Sequence, residues 1–280
     1  MIISKEEMDA MHLVQLDIFK DVVDVCATLG LRYFMVHGSL LGTVRTGKFI
    51  PLDDDIDIAM PRADYERFIK EGPQVINKRY FIQCNRTDVN YPLEFAKVRD
   101  SETTYIATPC RNIDMHHGVF IDIFPIDFIE DNVLVRNGMR LLKKILCVRI
   151  GCVLLLEKIP MKSRVLRCLS RILLPSWQKA VEYNERMNKR LGYGHNVCLT
   201  GGKPAEASVP SEWFSAVDYA EFEGIRCAIP VKWKEYLTLI YGDYSKRTLL
   251  EDKEHDESSV EINACILDLG KPYKDYRGAI

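Results

Sequence analysis

The stretch Tyr33 to Met60, Y-F-M-V-H-G-S-L-L-G-T-V-R-T-G-K-F-I-P-L-D-D-D-I-D-I-A-M, decides how the chain is read. Tyr33 to Val36 is a short apolar run that reads as a strand. The run breaks at His37-Gly38-Ser39, and a second strand-like segment closes the stretch with four carboxylates, Asp53, Asp54, Asp55 and Asp57, in five residues. The alternation Asp55-Ile56-Asp57-Ile58 sets both acids on one face of a strand and both isoleucines on the other. Carboxylates held close together repel unless a cation lies between them. Oxygen ligands suit a divalent metal, Mg²⁺ first and Mn²⁺ as the other candidate. Gly38 and Ser39 would make the tight turn, and a short helix begun at Leu40 would aim its first backbone N–H groups at a phosphate, the Ser39 hydroxyl adding a further bond.

Outward from this stretch, Ser4 to Leu29 reads as an amphipathic helix. Ser4 and Glu7 fit a capping box, Met8, Met11, Ile18, Val22, Cys26 and Leu29 recur at helical spacing, and Gly30 is a natural stop. His12 is read as part of that helix, without a chemical role. Pro61 to Lys70 reads as a helix with proline at its first position, ended by Pro73. Tyr80 to Cys84 and Phe95 to Val98 are strand candidates, and Lys97 and Arg99 share a face if the second continues that far. The run His116-His117-Gly118-Val119-Phe120-Ile121-Asp122-Ile123-Phe124-Pro125-Ile126-Asp127 places Asp122 inside an apolar strand, where an unpaired carboxylate is costly. A metal shared with Asp55 and Asp57 would satisfy it. So would a loop cap or an arginine. Of His116 and His117, at most one is expected to face an acceptor.

With 280 residues, 47% of them apolar and 28% charged, the chain can bury a large core, and its net charge of -2 gives no reason to expect nucleic acid as a partner. Nine dispersed cysteines and an N-terminus that turns acidic before any apolar signal core point to a reducing, cytoplasmic setting. From Val133 to Leu174 ten Lys or Arg face a single acid, Glu157, among many Leu, Ile and Val. Two helices broken near Pro160 would explain this texture. They would either lie on an anionic membrane or polyanion, or pack as a helical insertion with a wet basic side. The resulting division is a core over 1–132, a basic helical insertion over 133–190 and a C-terminal part over 191–280. Within the last, Leu191 to Gly202 reads as a glycine-rich connection, Val231 to Ile240 as an amphipathic run, and Lys271 to Ile280 as a loosely held end.

His37-Gly38-Ser39-Leu40-Leu41-Gly42, Arg45, Pro51-Leu52-Asp53-Asp54-Asp55-Ile56-Asp57-Ile58 and Gly118-Val119-Phe120-Ile121-Asp122-Ile123-Phe124-Pro125 together resemble the signature of the LicD family. That family comprises bacterial phosphocholine transferases and is similar to the fukutin-related phosphoribitol transferases. Phe222-Glu223-Gly224, Pro230 and Tyr241-Gly242-Asp243-Tyr244 follow in the order the family shows, whereas Thr46 and Leu52 stand where it often has His and Trp. The resemblance implies an α+β nucleotidyltransferase-like mixed sheet flanked by helices. It also implies an enzyme that moves phosphocholine, or a related alcohol phosphate, from CDP-choline or another CDP-alcohol to a glycan or lipid-linked glycan. The glycan would be a surface polysaccharide or teichoic acid, made at the inner face of the cell membrane, with CMP released. Asp55, Asp57 and Asp122 would hold metal and act in catalysis. Gly38, Ser39, Arg45, Lys97, Arg99 and His37 would line the donor site, His37 orienting the turn or taking part in chemistry. Asp53 would be a supporting or additional ligand, and Asp54 would fix the turn. A plain nucleotidyltransferase releasing pyrophosphate is the alternative. A non-enzymatic Ca²⁺ module is disfavoured because the acidic run lacks helix–loop–helix spacing.

Overall fold

The computed structural model of the chain describes residues 1–50, 53–154, 176–190, 195–202, 208–245 and 259–276. Strand β1 (Ile2–Ser4) leads into α1 (Lys5–Leu29). The capping box forms as read: Glu7 N–H donates to Ser4 Oγ (3.2 Å) and Ser4 N–H to Glu7 Oε2 (2.8 Å). Gly30 then stops the helix in the left-handed region at φ 64. Next come β2 (Phe34–Met35), α2 (His37–Arg45), β3 (Asp57–Pro61), α3 (Arg62–Val75), β4 (Tyr80–Gln83), β5 (Ala96–Asp100), β6 (Thr104–Ala107) and β7 (Phe120–Phe128). After β7 the described elements are α4 (Val133–Leu154), α5 (Trp177–Arg190), β8 (Asn196–Leu199), β9 (Val209–Pro210), β10 (Val217–Phe222), β11 (Ile225–Pro230), α6 (Trp233–Tyr241), β12 (Ser259–Glu261) and β13 (Ala264–Asp268).

The architecture is α+β, a curled mixed sheet flanked by helices, as nucleotidyltransferase-like proteins have. The sheet runs β2-β3-β7-β5-β4, with β8 and β9 continuing from the far half of β7. Strand β3 lies parallel to β7 and antiparallel to β2, and β5 lies antiparallel to β7. One apolar cluster unites α1, the sheet, α3 and the β10–β11 hairpin through Phe19, Phe34, Ile58, Phe68, Ile123 and Phe222. A buried ion pair fastens α3 to β7: Arg62 donates through Nε and Nη2 to the two carboxylate oxygens of Asp127, both at 2.6 Å. Asp127 also accepts from the Thr200 hydroxyl.

Several expectations are corrected. Pro61 is the N-cap of α3, and the helix passes through Pro73 to Val75. A proline so near the end removes one donor, and the turn still closes, Ile76 N–H donating to Gly72 O at 2.9 Å. The glycine-rich stretch contains strand β8, which pairs with Ile126 to Phe128. The C-terminal segment is anchored as far as residue 276: Tyr273 is buried, its N–H donates to Thr103 O (3.2 Å), and Tyr276 OH donates to Asp268 (2.6 Å). Helix α4 accounts for the first half of the basic segment. The break near Pro160, residues 191–194, most of the charged stretch after 245 and residues 277–280 lie outside the described residues.

Candidate active site

Three neighbouring strands bring the site together in one lateral row. In the parallel register of β3 and β7, Asp57 stands opposite Asp122, and in the antiparallel register of β7 and β5, Asp122 stands opposite Lys97. Adjacent strands lie about 4.8 Å apart, so side chains level with one another on one face must meet. Asp55 comes from the loop just before β3, with the ladder extended to it by Asp122 N–H donating to Ile56 O at 2.8 Å. Carboxylate oxygens of Asp55, Asp57 and Asp122 all lie within 4.8 Å of one another. An all-oxygen, anionic set of this kind fits a hard divalent cation such as Mg²⁺ or Mn²⁺.

The electrostatics point the same way. Burial, and then the charges of Asp57 and Asp122, hold the Asp55 carboxyl well above the ordinary carboxylate range. Burial pushes Asp122 up to about 6 despite the Lys97 ammonium beside it. Lys97 Nζ donates to Asp122 Oδ1 and lies 3.4 Å from the centroid of the Phe120 ring, while burial pulls its own pKa down. One lysine thus faces three crowded acids, whose mutual repulsion a bound cation would relieve.

Backbone strain marks the residues that hold this geometry. Among the described residues, the non-glycine positions with positive φ are His37 and Glu223, both at 50°. Left-handed backbone costs such residues about 1–2 kcal/mol; the His37 side chain is bonded to Asp57, and that of Glu223 to the backbone of Phe49, four residues before Asp53. His37 makes the abrupt turn from β2 into α2 and donates from Nδ1 to Asp57 Oδ2 (3.1 Å), its ring edge-on to Phe124. Glu223 sits at the β10–β11 hairpin tip, where Asn-Gly would be the easy choice. Its carboxylate instead accepts from Phe49 N–H (3.1 Å), and its own N–H donates to Gly47 O (2.7 Å). Phe49 is further held between Phe222 and the His12 ring, which stacks on it at 3.7 Å and 4°.

Helix α1 grips the acidic loop from the other side. His12 Nε2 donates to Asp53 O (2.8 Å), and Gln15 Nε2 donates to Asp54 O (2.8 Å) and Phe120 O (3.3 Å). The sequence reading passed over these positioning residues. Their signal was two polar side chains, three residues apart, on the buried face of an amphipathic helix.

The remaining sequence candidates separate clearly. Gly38 and Ser39 lie inside the first turn of α2, which begins at His37, three residues before the expected Leu40. A Cβ at Gly38 would strike the Asp53 carboxylate, so glycine is required for this approach. Ser39 Oγ accepts from Asp57 N–H (2.8 Å), coupling the turn to the acidic strand, and a hydroxyl that accepts one bond still has its own proton to donate. Asp54 accepts from Tyr105 OH (3.0 Å). Arg45 is half-buried in the last turn of α2. Lys97 joins the acids, whereas Arg99 is buried and donates to Gln83 and to Gly118 O (2.7 Å). His116 and His117 lie in the loop before β7, not in a strand. Burial depresses His116 to about 3, its Nδ1 accepts from Gly118 N–H and its Nε2 donates to Ser101 Oγ (both 3.1 Å). His117 Nε2 donates to Ile113 O (2.9 Å).

A turn into a short helix beside one carboxylate at the start of a strand and another in the loop leading into it, completed by an acid from the parallel neighbour, is a site of the nucleotidyltransferase class. Residues 30–146, from the end of α1 into α4, match the LicD/FKTN/FKRP nucleotidyltransferase domain. Over these residues the chain carries a domain of the LicD kind. It is 28% identical over 250 residues to the lipopolysaccharide cholinephosphotransferase LicD of Haemophilus influenzae, covering 87% of this chain and 93% of that protein. A shorter similarity, 35% over 80 residues, links 29% of the chain to 25% of an uncharacterized protein of Rickettsia typhi.

Proposed function

We propose that the chain transfers phosphocholine, or a related alcohol phosphate, from a CDP-activated donor to a hydroxyl of a cell-surface glycan, in a metal-dependent reaction that releases CMP. The observation that carries this reading is the convergence of Asp55, Asp57 and Asp122 within 4.8 Å. Similarity along nearly the whole length of a cholinephosphotransferase supports the choice of donor. The three aspartates would hold the divalent cation, which when bound supplies charge neutralisation to the donor diphosphate and the leaving group.

We assign the other roles to this chain's own groups. Gly38, Ser39 and the backbone N–H groups opening α2 bind a donor phosphate, with Arg45 lending positive charge. His37 holds Asp57 in orientation, and Lys97 holds Asp122. Asp122 takes the proton of the incoming hydroxyl; the hydroxyl oxygen bonds to the phosphorus that carries the alcohol, and the bond from that phosphorus to CMP breaks. Arg99 stabilises the strand beside them. Residues 1–132 would form the nucleotidyltransferase-like core, 133–190 the insertion and 191–280 the part that completes the catalytic domain, working at the cytoplasmic face of the membrane.

Two measurements test this. CDP-choline with Mg²⁺ at about a hundred times its Kd is expected to raise the melting temperature by roughly 5–10 °C, and chelator should abolish the rise. A shift indifferent to chelator would count against metal-mediated binding. Incubation with cell-envelope glycan should release CMP; release of pyrophosphate from a nucleoside triphosphate would favour the alternative that the family's nucleotidyltransferase description suggests.

The hairpin clamp gives a second expectation. Glu223→Ala should weaken Mg²⁺ binding about tenfold, as loss of outer support commonly does. Glu223→Gln, whose amide oxygen can still accept from Phe49 N–H, should stay close to wild type. Equal calorimetric affinities for both variants and wild type would remove the clamp from the argument.

A further inference from the structure

Helix α4 has two apolar faces, and among the described residues one of them is packed and the other exposed. Leu146 and Ile150 are buried against Ala180 and Val181 of α5. Leu134, Leu141 and Ile145 are 82%, 62% and 41% exposed. Spaced seven and four residues apart, these three fall within an arc of about 40° on the helix surface. Gly138 and Leu142 extend the strip; a Cβ at Gly138 would meet nothing within 4 Å, and Leu142 is exposed. Isolated exposed leucines are ordinary, but an aligned row of them is the mark of a contact surface.

Charge decides what it contacts. Helix α4 carries Arg136, Arg140, Lys143, Lys144 and Arg149 and no acid. Arg140 and Lys144 are exposed one turn apart and border the apolar strip on the helical wheel. A soluble polyanion would engage the cations and leave the leucines in water. An anionic bilayer takes both, headgroups against the cations and acyl chains against the strip. Among the described residues no helix is long and apolar enough to cross a membrane.

We infer that the Leu134–Leu141–Ile145 face of α4 docks the protein on an anionic lipid surface. The same helix is linked to the catalytic sheet through α5, on which Leu146 and Ile150 pack: Asn184 Nδ2 of α5 donates to Glu94 (2.7 Å), three residues ahead of Lys97. Docking therefore fixes the site relative to the lipid plane, and it does so whatever reaction the site performs.

The test is flotation of the full chain with phosphatidylglycerol/phosphatidylethanolamine vesicles and with phosphatidylcholine vesicles. Wild type should float with the first and not the second. Leu141→Asp/Ile145→Asp and Arg140→Gln/Lys144→Gln should each lose about tenfold or more in partitioning, with melting temperatures unchanged. Leu141→Trp supplies a signal that does not depend on a loss: its emission should shift to the blue on adding anionic vesicles. Failure of wild type to float, undiminished flotation of the aspartate variant, or an emission unmoved by vesicles would overturn the inference. So would a dimer in light scattering that the aspartate variant dissolves, which would give this face to a second copy of the chain.

Discussion

Asp57→Asn is expected to yield a folded protein whose CMP release falls by roughly 10³-fold or more, about 4 kcal/mol of lost transition-state stabilisation. Asparagine keeps the shape and an oxygen that can accept from His37 Nδ1, and the backbone bond from residue 57 to Ser39 Oγ is untouched. What disappears is one of the charges that crowd Asp55. Stability should therefore hold or rise slightly while metal affinity collapses, and this combination separates a ligand from a merely structural aspartate. Calorimetric Mg²⁺ titration and thermal melting read the two sides. Near-normal CMP release from this variant would remove Asp57 from the proposed chemistry.

The largest effect on folding is expected at a pair the reaction does not use. Arg62→Ala leaves the Asp127 carboxylate, 1% exposed, without its two guanidinium donors. Breaking a buried pair from one side costs about 3–5 kcal/mol, which for a chain of this size lowers the melting temperature on the order of 10 °C. Adding Asp127→Asn to Arg62→Ala should recover much of the loss, since the stranded charge is then gone. A single variant that melts with wild type would show that α3 is secured to β7 by packing alone.

The parts of this molecule that could be read in advance are those whose causes are local. A capping box and a terminal glycine fixed both ends of α1 within a few residues of themselves. Two-residue spacing placed Asp55 and Asp57 together because it is a property of neighbouring residues, although Asp57 alone of the two lies in β3. Asp122 could be singled out since a carboxylate in an apolar strand demands a partner. Which partner it finds is a matter of register: Lys97 reaches it across the β5–β7 ladder, 25 residues away. The Glu223 clamp spans 174 residues, beyond any windowed pattern. Strand β8 escaped notice for a related reason: four residues flanked by glycines carry almost no periodic signal until β7 is there to pair with them. The anchored C-terminal segment likewise depends on Tyr273 finding a buried seat beside His116.

The spacing between Asp57 and Asp122 is set by the hydrogen-bonded pitch of a β-sheet, a ruler that side-chain substitutions elsewhere in the core cannot stretch. Asp55 hangs off the end of that ruler on a loop gripped by α1 and by a distant hairpin. Two jaws of the calliper are therefore fixed and the third is adjustable. Any retuning of the aperture for a bulkier donor or a different ion has its screw thread at residues 46–50 and 53–56, not in the strands.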